Sequence, residues 1–133
     1  MPQNRESGAQ AQRFGREMAK AIAKRLGTEC KNPNSNECMY EGKRAVIKCA
    51  HQATNDIGVS YKMLDRLDVI IAAFEDEPDC YELFEFDPEH FRENMRPTRS
   101  KGPAADRVGL VRKSTVIKEG TYLCHLDMST PGT

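Results

Sequence analysis

At 133 residues, 38% of them hydrophobic and 30% charged, the chain is long enough to bury one core, too short for two, and too apolar for a disordered protein. Its longest apolar run, Val69 to Phe74, is far too short to span a membrane, and Met1 to Ser7 lacks the apolar core of a secretory signal, so a soluble cytoplasmic protein is expected. The zero net charge is unevenly spread: residues 1–48 hold ten Lys/Arg against five Asp/Glu, residues 74–93 nine acids and one base, and residues 96–118 seven bases and one acid.

Residues 1–12 are polar and aperiodic and read as a flexible lead-in to a single domain over 13–128. From Arg13 to Leu26 the apolar residues Phe14, Met18, Ile22 and Leu26 recur every four positions, which predicts an amphipathic helix, and Gly27 suits its C-terminal cap. Glu17 sits beside that stripe. Asn32 to Asn36 is loop by composition. Asn36 to Ala50 then reads as a β-hairpin with a lysine inside the apolar run Ala45-Val46-Ile47-Lys48-Cys49-Ala50. A charge there must be paired or it costs several kcal/mol, roughly, in desolvation. Three registers are open. A turn on Glu41-Gly42 sets Glu37 opposite Val46, and one on Gly42-Lys43 sets it opposite Lys48; in both, Glu37 and Lys48 share a sheet face. A three-residue loop would separate them.

Residues 51–58 are predicted as a polar loop and Val59 to Leu67 as a second helix. The uniformly apolar run 69–74 predicts a strand covered on both faces. An exposed turn at Glu75 to Asp79 leads to a strand, Tyr81 to Phe86, paired antiparallel with it. Pro88 ends that strand and a short helix follows near 88–95. Residues 96–107, with two prolines, a glycine and four bases, predict a mobile loop. Next come a short element, Gly120, a strand over Thr121 to Leu126, and a flexible tail over 129–133. The five cysteines (30, 38, 49, 80 and 124) contain no CxxC pair and are expected to be buried, reduced thiols rather than a zinc site.

The order helix, hairpin, helix, strand, strand, with Glu17 on the first helix and Glu37 and Lys48 on the hairpin, resembles the PD-(D/E)XK nuclease superfamily over residues 13–86. The resemblance implies an α/β (α+β) fold with a restriction-endonuclease-like mixed sheet flanked by helices. It also implies Mg²⁺-dependent hydrolysis of DNA phosphodiesters. Acids would hold the metal, and the lysine would orient the attacking water and stabilise charge on the phosphate. Carried over by position, the catalytic set is Lys48, Glu37 and Glu17, with Glu37 and Glu17 on the metal. Val46 stands where the family has its second acid, and Asn34 follows Pro33 where an acid would complete the name-giving pair. Either Glu17, Glu41, Gln52 or Asp56 substitutes, or the site is degenerate and the chain is a binding module.

Each residue also has a plainer reading: Lys48 as a snorkelling edge-strand lysine, Glu37 as a surface acid, Glu17 as a helix N-terminal charge, His51 as a hydrogen-bonding loop residue. The basic series Arg96, Arg99, Lys101, Arg107, Arg112 and Lys113 would track a DNA backbone. The acidic block at 74–93 would neutralise it, meet a partner or mimic phosphate. At this size, sequence-specific recognition would need a homodimer or a partner protein. No glycine-rich phosphate loop, Ser-His-Asp pattern or cofactor fingerprint points to a small-molecule enzyme.

Overall fold

The computed structural model describes residues 17–30, 36–97 and 108–129. In chain order these form helix α1 (17–25), β1 (Glu37–Tyr40), β2 (Lys43–Ala50), β3 (Asp56–Ser60), α2 (Tyr61–Leu64), β4 (Val69–Glu77), β5 (Cys80–Phe86), α3 (Pro88–Asn94), β6 (Arg96–Pro97), β7 (Val108–Arg112), α4 (Lys113–Glu119) and β8 (Thr121–Asp127). The fold is mixed α+β. A five-stranded sheet has the order β1-β2-β4-β5-β8, and a three-stranded sheet has the order β3-β7-β6. Among the described residues only β2 and β4 pair in parallel; the connection between them carries β3 and α2.

The hairpin adopts the Glu41-Gly42 register. Both turn residues have positive φ, 51° and 77°, the backbone of the tight two-residue turn whose twist matches its strands. Tyr40 therefore faces Lys43, and Glu37 faces Val46.

β4 explains its own composition. Val69, Ile71 and Ala73 pack with Ala19, Ile22 and Ala23 of α1, whereas Ile70, Ala72 and Phe74 pack with Ile57 and Val59 of β3, Val111 of β7, Phe91 of α3 and Val116 of α4. All six strand residues are buried, because each face of the sheet carries its own apolar layer. β5 pairs antiparallel with β4, and the connecting turn tightens to Pro78-Asp79, since β4 runs on to Glu77. α3 starts at Pro88, with the Asp87 carboxylate accepting from the His90 N–H at 3.0 Å.

The stretch after the hairpin differs from expectation. The polar loop ends at Asn55, and Asp56–Ser60 is a strand; helix is confined to Tyr61–Leu64, capped by Ser60. Ile57 and Val59 are buried on one face, a period of two that β7 exploits by pairing antiparallel. Gly58 suits this closeness, because a Cβ there would lie 3.1 Å from Leu110 and 3.3 Å from Val108. Arg96-Pro97 pairs with β7 instead of opening a loop. The short element before Gly120 resolves into a strand, β7, followed by α4. Phe14 of the expected first helix, the 31–35 part of the expected loop, residues 98–107 and the tail from Thr130 lie outside the described residues.

All five cysteines are free thiols, Cys38 buried and the others partly so. Burial pushes Cys38 up to about 11 and Cys49 up to about 12, which keeps both protonated at neutral pH. No helix among the described residues is long and apolar enough to cross a membrane.

Candidate functional site

Strand pairing lays out the sheet face that looks toward β3 and β7 as rows of side chains. Lys48 is level with Ala72, Phe84 and Tyr122, and Ala50 is level with Phe74, Glu82 and His125. Glu37 joins this face opposite Val46, one diagonal step from Lys48, a separation of roughly 7–8 Å between strand positions. The carboxylate and the lysine thus leave the same face.

Lys48 lies on an inner strand, between β1 and β4, rather than on a sheet edge. It is partly buried and makes no hydrogen bond or ion pair among the described residues. Burial lowers its pKa below the ordinary lysine value, opposed by the neighbouring Cys49. Burial thus favours the neutral amine over the ammonium, and no acid pairs with it among the described residues.

Glu37 is engaged elsewhere. Arg66, in the turn after α2, donates from Nε to Oε1 at 2.9 Å and from Nη2 to Oε2 at 2.7 Å, a two-pronged fork. Only 13% of the Glu37 side chain is exposed, and the Arg66 fork replaces hydrogen bonds that water would otherwise provide. The hydrogen bond to Glu37 raises the Arg66 pKa further and keeps the guanidinium charged. Sequence reading missed Arg66, because nothing in Leu64-Asp65-Arg66-Leu67 announces a partner 29 residues away.

The other proposed ligands are dispersed. Glu17 is exposed on α1, the helix that packs on the opposite face of the sheet. Glu41 is exposed in the hairpin turn, and Gln52 donates to the Asp76 carbonyl at 2.6 Å. Asp56 is paired with Arg96 at 2.7 Å. Val46 is fully buried among apolar residues and offers no oxygen. Mg²⁺ requires an octahedral oxygen shell built on one or two carboxylates plus waters. With both Glu37 oxygens facing a guanidinium and no acid beside it at Val46, the residues as arranged do not fit Mg²⁺ at this position.

The second feature is a cavity of about 590 Å³ lined by Asn55, Asp56, Arg96, Arg112, Lys113, Ser114 and Ile117. The antiparallel pair Asp56 and Arg112 starts β3 and ends β7, and the Lys113 N–H donates to the Asn55 carbonyl at 2.7 Å, locking the two segments together. Arg96 is neutralised by Asp56. Arg112 and Lys113 have no acidic partner among the described residues; the Lys113 ammonium stands 5.4 Å from the centroid of the Phe74 ring. Arg112 and Lys113 were legible as part of a basic segment, whereas Asn55 and Ser114 carried no signal. Arg99, Lys101 and Arg107 lie outside the described residues.

The acidic block at 74–93 is in part locally engaged. Glu75 meets His51 at 3.3 Å, Glu82 meets His125 at 2.6 Å, and Asp87 caps α3. The exposed His51 is thus a partner of Glu75. No protein-family model, curated protein or solved structure matches the chain.

Proposed function

We propose that the chain binds DNA through its backbone phosphates, on a nuclease-like fold whose Glu37–Lys48 face is not arranged for metal-dependent cleavage. The observation that carries this reading is the pocket in which Arg112 and Lys113, with no acidic partner among the described residues, stand beside the donors Ser114 and Asn55. A phosphate entering it supplies the missing negative charge and releases condensed counter-ions from the duplex, the main source of affinity in sequence-independent binding. At this size, sequence-specific contact would come from a second copy of the chain or a partner protein.

A second reading, a Mg²⁺-dependent nuclease, is favoured by Lys48. A lysine on an inner strand, shielded from water and with no acidic partner among the described residues, on the same face as a carboxylate, is an arrangement that catalytic sites use. On that reading Glu37, once released from Arg66, would be the residue to hold the metal, and the metal would supply activation of the attacking water.

One experiment separates the two: binding and cleavage of duplex and single-stranded DNA with Mg²⁺ or Mn²⁺ against EDTA, for wild type and Lys48→Ala. Salt-sensitive binding without cutting supports the first reading. Metal-dependent cutting that disappears in Lys48→Ala establishes the second and overturns the first. Absence of binding sinks both.

A further inference from the structure

We infer that Asp76, Glu82 and His125 form a divalent-cation site at the far end of the large sheet. These residues come from three adjacent strands, β4, β5 and β8, and each offers one ligand atom within 4.8 Å of the other two. Glu82 and His125 are direct cross-strand partners, and the imidazole Nδ1 lies 2.6 Å from Glu82 Oε1. Metal–ligand bonds of about 2.0–2.2 Å place ligand atoms roughly 3–4 Å apart, so small side-chain rotations on a fixed backbone bring the three around one ion.

The donor set has chemical character. Two carboxylates and an imidazole favour the borderline Zn²⁺, and after it Mn²⁺, which accepts nitrogen beside oxygen, over Mg²⁺ or Ca²⁺, which prefer an all-oxygen shell. Three protein donors leave the remaining positions open to water or to an anionic ligand, the arrangement of open rather than closed metal sites. Tyr122 holds Glu82 by a side-chain hydrogen bond, an outer contact of the kind that orients metal-binding carboxylates. With 46% of the His125 side chain and 28% of Glu82 exposed, an ion reaches them directly from solvent. Charge adds to this: the two carboxylates of Asp76 and Glu82 stand around a single imidazole, a set that a dication complements.

The location links the site to the basic pocket. Glu82 is the cross-strand partner of Phe74, and the Phe74 ring lies beneath Lys113. The cation seat and the basic pocket are thus connected through one aromatic residue, Phe74. The cation site itself does not depend on DNA binding.

The test is calorimetric titration of the purified chain with Mn²⁺ and with Zn²⁺, with Mg²⁺ for comparison. The variants are His125→Ala and Glu82→Gln, with His90→Ala as a control and thermal melts confirming that each is folded. The expected result is saturable binding of Mn²⁺ and Zn²⁺ at one equivalent, stronger than Mg²⁺. Binding weakens at least about tenfold in both ligand variants and is unchanged in His90→Ala. Absence of saturable binding overturns the inference. So does binding that survives either ligand substitution, which would place the ion elsewhere, on the free thiols in the case of Zn²⁺. Because both substituted side chains are partly exposed, a variant that failed to fold would be replaced by Asp76→Asn and judged by the same readout.

Discussion

Replacing Arg112 and Lys113 together by glutamine removes two positive charges from the basic pocket and keeps side chains able to hydrogen-bond. The structure sets the size of the effect. Of the three cations lining the cavity, Arg96 is offset by Asp56, which leaves Arg112 and Lys113 for phosphate. Each phosphate neutralised on duplex DNA contributes about 0.9 to the slope of log affinity against log salt, so two contribute about 1.8. Over a roughly fourfold rise in salt, these two contacts account for a loss of about tenfold in affinity. The double variant should lose that part of the slope and bind more weakly at low salt, by similar factors on unrelated sequences. Fluorescence anisotropy with labelled duplexes over a salt series measures both. The Lys113 N–H bond to Asn55 belongs to the backbone and survives the change, and a melting curve checks that the fold does too. Wild-type and variant lines of equal slope would refute the reasoning, whatever the absolute affinities.

Lys48→Met keeps the aliphatic stem and removes a desolvated amine with no acidic partner among the described residues, so it is expected to stabilise the chain at neutral pH by about 1 kcal/mol. The sign of its pH dependence follows from the lowered pKa. As pH rises toward the ordinary lysine value of 10.5, folded Lys48 has released its proton while the unfolded chain still holds it, so wild-type stability gains on the variant. Denaturant titrations of both proteins should show the gap closing through the alkaline range, and a gap independent of pH would contradict the burial argument. Arg66→Ala deprives the mostly buried Glu37 carboxylate of its fork and should lower the melting midpoint; in a double-mutant cycle Glu37→Gln should remove most of that loss, and simple additivity would refute the coupling. Gly120→Ala places a Cβ 2.6 Å from the Val116 carbonyl oxygen and 2.9 Å from that of Glu85; both are backbone atoms, so a loss of about 1–3 kcal/mol is expected, and an unchanged denaturation curve would show that the α4–β8 junction yields.

The elements legible in the sequence are those whose signal is local. Six consecutive apolar residues at 69–74 leave no polar face, so they can only be a strand covered twice. Asp87-Pro88 announces a helix start because one residue supplies a cap and the next needs no N–H bond. Glu41-Gly42 admits a left-handed two-residue turn, and that turn alone selects which of the three registers forms. Residues 56–67 show where local reading fails. Val59, Met63 and Leu67 repeat every four positions, as a helix requires, yet Ile57 and Val59 also alternate, and β7 decides between the two by offering a strand to pair with about 50 residues further on. The candidate sites depend wholly on such distant pairing. Lys48 could be recognised as a misplaced charge, but Arg66 as the keeper of Glu37, the pocket joining Asn55 to Arg112, and the meeting of Asp76, Glu82 and His125 exist only after the strands have taken their order. Hydrophobic periodicity and turn chemistry act over a few residues and are written in the sequence; the convergence of polar groups is set by strand pairing across the whole domain, which the tertiary structure alone decides.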